Sequence, residues 1–372
     1  MANNNDKKVL NVPALRFPEF SGEWKHVHLK EIAEFQKQRI STALLNNNNY
    51  ISTENILQDF EGIQCSSSMP ANVNVIKYQN EDILLSNIRP YLKKVWFADR
   101  KGGCSADVLV LRGNKCDKYF LYYVIASDRF INYVMSGIKG VKMPRGDKNQ
   151  MEEYAFSIPT NMEQKRIAKF ISILDERIRL QNKIIEKLQS LIKGIRNNMM
   201  IQNQGDYIAL QDIADIYQPK TILSTDLTED GYLVYGANGI IGKYHLYNHE
   251  KEQICITCRG NTCGTVNYTE PKSWITGNAM VINTDNFAEN VNKRYLFHYL
   301  SSINFNSIIS GSGQPQIVRQ PLAKLKIILP ELTIQEHIAK CLDTILAKIK
   351  NEQTSLQAIQ IQKSYLLSQM FI

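Results

Sequence analysis

Cations and amides gather in a few turns and glycine-bearing loops of this chain. Leu84-Leu-Ser-Asn-Ile-Arg89 ends in arginine and is followed by Lys93 and Lys94, and Cys255-Ile-Thr-Cys-Arg259 ends the same way before Asn261 and Thr262. Ser136-Gly-Ile-Lys-Gly-Val-Lys-Met-Pro-Arg-Gly-Asp-Lys148 supplies Lys139, Lys142, Arg145 and Lys148, and Ser310-Gly-Ser-Gly-Gln-Pro-Gln-Ile-Val-Arg319 supplies Gln314, Gln316 and Arg319. Lys243 closes the run Gly236-Ala-Asn-Gly-Ile-Ile-Gly-Lys243. Such side chains can neutralise phosphates and read base edges: Arg and Lys pair with guanine, Gln and Asn with adenine, and glycine lets the backbone approach a groove. For any single loop a solvated surface is the alternative, since Lys and Arg normally sit outside. The pattern occurs in both halves of the chain, which favours the binding reading.

Catalytic and metal chemistry find no comparable support. Cys255, Cys258 and Cys263 with His245 and His249 have the residue types of a zinc site, but a strand between the first two cysteines would splay them, and no second pair follows. The run ending at Lys243 resembles a phosphate loop one residue too long, and Tyr244 stands where a magnesium-binding Ser or Thr belongs. It reads as a turn between strands. No Gly-rich methyl-donor loop, no Asn-Pro-Pro-aromatic motif of base methylation and no nuclease set of carboxylates and lysine is present. The expectation is a protein with no catalytic residues, no metal and no cofactor of its own.

The loops need elements to position them, and the strongest periodicity lies in Asn161 to Met200. Ile167, Ile171, Leu174, Ile178, Ile185, Leu188, Ile192, Ile195 and Met199 recur in steps of four and three, with Gln181 at one seam position. That is a heptad seam suited to one partner helix. A shift of 171 residues carries Gln164..Ile167-Ala168-Lys169 onto Gln335..Ile338-Ala339-Lys340. The second seam reads Ile338, Leu342, Ile345, Ile349, Leu356, Ile359, Leu366 and Met370, with Glu352 in phase with Gln181 and Lys363 as a further polar position. Such a repeat fixes architecture before chemistry is considered.

Composition agrees. At roughly 100–200 residues per domain, 372 residues make two or three domains, and 44% hydrophobic content can fill a core in each. No run approaches the ~18 apolar residues of a membrane span and the N-terminal stretch lacks a signal core, so a cytoplasmic protein is expected. Seven cysteines without framework spacing fit reduced thiols. A net charge of +8 permits a polyanionic partner.

Val12-Pro-Ala-Leu-Arg-Phe-Pro-Glu-Phe20 reads as an arm lying on a surface, because its prolines forbid a helix. Trp24 to Phe35 has the spacing of a short helix, echoed by Tyr207 to Tyr217. Strands are predicted at Tyr78–Ser86, Val95–Ala98 and Val108–Arg112, then at Tyr232–Tyr235, Gln253–Cys258, Thr265–Tyr268 and Met280–Asn283. Helices are predicted at Lys118–Met135 and Asn292–Ile309. The expected fold is α+β: an arm (1–23), a mixed α/β domain (24–159), a long helix (160–203), a second mixed domain (204–330) and a second long helix (331–372).

The opening Val-Pro-Ala-Leu-Arg-Phe-Pro-Glu-Phe with Trp24, and the two Pro-x4-Gln-x2-Ile-Ala-Lys helix starts at Pro159 and Pro330, resemble the specificity subunit of type I restriction-modification enzymes. The resemblance covers nearly the whole chain. It implies a non-catalytic subunit with two target recognition domains, each reading one half of a split asymmetric sequence in double-stranded DNA. Two modification subunits would bring S-adenosylmethionine, and two restriction subunits would bring ATP- and Mg-dependent translocation and cleavage. Two other classes stay open: a fused methyltransferase or nuclease-type enzyme, and a coiled-coil scaffold with no nucleic-acid role.

Two helices of ~35 residues are each ~50 Å long at ~1.5 Å per residue, and pairing within one chain demands that they run antiparallel. The expectation is a pseudo-twofold tandem repeat with its domains at opposite ends, suited to half-sites about one DNA turn apart. Gln181 and Glu352 would then either form a polar layer that fixes register or reach solvent at a loose point of the seam.

Overall fold

The computed structural model describes residues 11–65, 68–138, 144–202, 206–237, 239–311 and 313–372. Contacts gather into two units, one of residues up to Leu180 together with Leu356–Ile372, the other Gln181–Ser355. Each long helix therefore contributes part of its length to each unit.

The first unit is built on an antiparallel sheet in the order Ala33–Phe35, Val108–Gly113, Ile83–Ser86 and Val95–Phe97. The inner runs of these strands are apolar because both faces are covered: Ile83, Leu85, Val95 and Leu111 join one core and Leu84, Trp96, Val108 and Val110 another. A second sheet runs Arg39–Ser41, Asn74–Tyr78, Gly102–Cys104 and Tyr50–Ile51. Lys25–His28 pairs with Ala155–Ile158, joining the two ends of the globular part.

The second unit repeats the plan. Asp215–Tyr217, Ala279–Asn283, Ile254–Thr257 and Val266–Tyr268 form an antiparallel sheet in the same relative order, and Asp206–Ala209 closes on Lys326–Leu329. A three-stranded sheet of Gly239–Tyr244, Tyr232–Gly236 and Trp274–Ile275 replaces the second sheet of the first unit.

Several sequence-based expectations are corrected. Trp24 to Phe35 is not a helix but two strands around a single turn, Leu29–Ile32, and Asp206 to Tyr217 likewise places a turn of 3-10 helix between strands. Apolar residues spaced for one helix face here serve a sheet edge and a core together. The run Tyr78–Ser86 is broken at Gln79–Asp82, where the Asp82 carboxylate accepts from the Gln79 amide at 2.7 Å and Glu81 has φ 67°. Lys118–Met135 splits into Lys118–Ile125 and Asp128–Ser136, because Ser127 caps the second helix by accepting from the Phe130 amide at 3.3 Å. Asn292–Ile309 is helical only over Lys293–Leu300, followed by the 3-10 turn Phe305–Ser307 and a short strand.

The long helices span Asn161–Gln202 and Leu332–Met370. None of the seam side chains described is exposed; Met199's side chain and Lys139 and Lys142 lie outside the described residues. In the first unit Ile167, Ile171, Leu174, Ile359, Leu366 and Met370 belong to one core with Trp24 and Phe120. Lys363 pairs with Asp175 at 2.5 Å, and the Ser157 amide, just ahead of the first long helix, donates to the Ile372 carbonyl at 3.0 Å. The helices there run antiparallel. They do so again in the second unit, where Gln181 donates to the Glu352 main-chain carbonyl at 3.1 Å and to its carboxylate, which Lys348 also neutralises. Gln181 and Glu352 form a half-buried polar layer in the seam.

The two glutamines of the helix starts have a physical role. Gln164 is buried; its amide donates to the Pro159 carbonyl at 2.9 Å and its carbonyl accepts from the Asp117 amide at 2.8 Å, at the N-cap of Lys118–Ile125. Gln335 makes the same pair with Pro330 at 2.8 Å and with Asn292 at 2.8 Å, again an N-cap. A buried amide satisfied on both sides ties each long helix to the small helix beside it.

The arm rests on this frame. Arg16 makes a bidentate pair with the fully buried Glu163 (2.7 and 2.8 Å), Phe17 packs edge-on to Phe170, and the Leu15 amide donates to the Gln369 carbonyl.

Candidate nucleic-acid interface

The loops singled out by residue type are brought together in pairs. In the first unit the turn after Ile83–Ser86 meets the segment before Lys148–Glu152. Arg89 N donates to Pro144 O at 2.8 Å, Gly146 N to Asn87 O at 3.1 Å, and Asn87 N to Asp107 O at 2.8 Å; Ile88 and Arg145 stand opposite each other as a bridge. In the second unit the turn after Ile254–Thr257 meets the segment before Arg319–Ala323. Gly260 N donates to Pro315 O at 3.0 Å, Ile317 N to Cys258 O at 3.0 Å, and Cys258 N to Asn278 O at 3.0 Å; Arg259 stands opposite Gln316.

Every one of these positions moves onto its counterpart by the same 171 residues, 87 to 258, 89 to 260, 144 to 315 and 146 to 317. The result in each unit is a short antiparallel ribbon pinned by main-chain bonds; in the second unit Gln316–Ile317 also pairs with Ile309–Ser310, Ser310 opposite Gln316, so the ribbon there has a third strand. Arg145 and Gln316 are equivalent, as are Ile88 and Arg259, and Lys148 and Arg319. The long-range bonding explains why sequence reasoning missed the ribbon: Ile88 and Arg145 are far apart in the chain and neither segment has strand periodicity.

Within the ribbons Arg89, Arg145, Arg259, Asn261, Gln314 and Gln316 are exposed. Arg145 is held by Asp107 at 3.0 Å. Arg89 and Lys93 both adopt left-handed backbone, φ 50° and 53°, and their equivalents are Gly260 and Gly264, φ 84° and 91°. The turn thus demands positive φ at two positions. The second unit meets that demand with glycine, the first with cations, at a strain of about 1–3 kcal/mol per residue.

Other candidates are tied into the protein. Lys93 pairs with Asp128 at 2.7 Å, and Lys94 donates to the Thr53 carbonyl at 2.7 Å. The Lys148 ammonium sits over the Phe35 ring at 5.0 Å, Thr262 donates to the Ala237 carbonyl at 3.0 Å, and Arg319 Nε donates to the Ile216 carbonyl at 2.7 Å. Lys243 lies on the three-stranded sheet, with Asp230 at 3.6 Å.

A polar cluster that residue types alone did not reveal fixes the small helix of the second unit. Arg196 donates to His298 Nδ1 at 3.0 Å, and His298 Nε2 donates to Asp343 at 2.8 Å, which also binds Arg294. The neutral ring with its proton on Nε2 satisfies both contacts. Burial, helped by Arg196 and opposed by Asp343, drives this imidazole down to about 4. Tyr123, sixth in its helix as His298 is in its own, does the corresponding work in the first unit by donating to Asp175 at 2.8 Å.

Among the described residues no group of His, Cys, Asp and Glu is arranged to hold a metal ion, and no helix is long and apolar enough to cross a membrane. The fold is thus a tandem pair of mixed α/β domains on paired helices, each presenting one polar ribbon. The chain belongs to the type I restriction modification DNA specificity domain family, as a specificity subunit whose two copies of that domain match at residues 21–190 and 206–360. It is 24% identical over 404 residues to the type I restriction enzyme MjaVIII specificity subunit of Methanocaldococcus jannaschii, covering 94% of this chain and 91% of that one. It is 31% identical over 112 residues to the EcoprrI specificity subunit of Escherichia coli, and 29% over 165 residues to a putative specificity subunit of Haemophilus influenzae. Those two matches span only 27% and 40% of the relatives' own lengths. In fold it is similar to the crystal structure of the S subunit from M. genitalium, with a TM-score of 0.70 at 17% identity over 97% of this chain and 99% of that one. A structure described as underlying complex assembly and conformational transition of the type I R-M system matches with a TM-score of 0.55 at 17% identity, over 92% and 96% of the two chains.

Proposed function

We propose that this chain reads a bipartite asymmetric sequence in double-stranded DNA, one half through the domain of residues 24–159 and the other through that of residues 204–330, and directs partner subunits that methylate or cut. The observation that carries this reading is the recurrence, at a constant shift, of one ribbon presenting Arg145 in one domain and Arg259 and Gln316 in the other.

The chain itself is non-catalytic in this reading. Two modification subunits would supply S-adenosylmethionine and two restriction subunits ATP and Mg, all in the cytoplasm. Exposed apolar side chains on the first long helix, Ile173, Leu180, Ile184 and Leu191, support docking of such partners.

The test is salt-dependent DNA binding by the complex with its modification subunits. Alanine at Arg259, Asn261 and Gln316 together is expected to weaken target binding by about 10-fold or more. Unchanged affinity, with unchanged salt dependence, contradicts the reading. Methyl-donor binding by the isolated chain would favour a fused enzyme instead.

A further inference from the structure

The ribbon geometry goes further than a DNA-facing surface. Residues directly opposite in an antiparallel bridge project from the same face with Cβ atoms ~4.5–5.5 Å apart, and β-sheet readers lay strands in a DNA groove. Arg259 and Gln316 are such a pair, both exposed. Ile88 and Arg145 are the equivalent pair, and Asp107, 3.0 Å from Arg145, orients the guanidinium. Arginine makes a bidentate contact with guanine, glutamine one with adenine, and an apolar side chain meets the thymine methyl.

We propose that the ribbons are the base-reading elements, with Arg145 specifying a guanine beside Ile88 in the first half-site, and Arg259 with Gln316 specifying an adjoining guanine and adenine in the second. This rests on the reading that the ribbons face DNA. The swap between equivalent positions follows from it: Arg145→Gln turns one guanine of the first half-site into adenine, and Gln316→Arg turns one adenine of the second into guanine, while every other position is kept. Both side chains are exposed, so both variants keep the fold.

The experiment assembles each variant with its modification subunits, selects bound sites from a library randomised within both half-sites, and measures affinity against salt. A single-position switch in the expected half, with about 10-fold preference for the new base, establishes the assignment. Affinity lowered alike for all sequences, with the salt slope reduced by about 1 for Arg145→Gln, overturns base reading by Arg145 while leaving the DNA-facing surface intact. Targets, affinity and salt slope all unchanged in both variants overturn the assignment and the surface together.

Discussion

Arg89 carries the sharpest test at the scale of single residues. Its backbone is left-handed at φ 50°, where the equivalent residue is Gly260, and among the described residues its side chain has no hydrogen-bond or ion-pair partner. Among the described residues no contact accounts for keeping an arginine there. Arg89→Gly is expected to raise stability by ~0.5–1 kcal/mol, since glycine relieves the strain, and at the same time to weaken DNA binding. Thermal unfolding and binding on one preparation check both; a less stable variant, or one that binds as well as the parent, contradicts the assignment. Residue type alone pointed to Arg89, Arg145, Arg259 and Gln316, because cations and amides in turns and polar loops are visible in any sequence. It did not separate them from Lys94 or Arg319, which donate to main-chain carbonyls of their own domain. The buried partner of Arg16, Glu163, lies 147 residues away and gave no local signal.

Among the elements, the small helices Lys118–Ile125 and Lys293–Leu300 hold the long helices in place. Tyr123 and His298 occupy the same place in those helices and each reaches an aspartate on a long helix, Asp175 on the first and Asp343 on the second. His298 makes this link sensitive to acid. Its side chain is fully buried and its ring titrates near 4 when folded, against about 6.5 when unfolded. Between those values the unfolded chain binds the extra proton, so stability falls as pH drops from 6.5 towards 4, by up to about 3 kcal/mol. Urea unfolding at pH 7 and pH 4.5 is expected to show the loss in the parent and a smaller one in His298→Asn; equal losses contradict the role. Periodicity found the long helices because heptads persist over many turns, and found the central strands, such as Val108–Gly113, because each carries a continuous apolar run, here Val108 to Leu111. It ran through the break at Ala126 and Ser127, where one side-chain cap starts a new helix, and it missed two-residue strands such as Ile309–Ser310 and Gln316–Ile317, which are too short to show a period.

For the molecule as a whole, the claim is that two copies of one domain read DNA independently. The shift of 171 was legible at the helix starts and along the seams, where packing restricts residue type. It also holds for strands at 83, 95, 108 and 155, which map onto 254, 266, 279 and 326. Upstream it fails: Lys25–His28 corresponds by pairing to Asp206–Ala209, and Ala33–Phe35 to Asp215–Tyr217, with different spacing. Loops between those strands differ in length, so only the sheet order reveals the correspondence. The direct measurement is to exchange residues 24–157 for the equivalent domain of a relative with a different target, and to map methylated sites in DNA from cells that also make the modification subunits. The account predicts a new first half-site joined to the original second half-site. A target altered in both halves would contradict it.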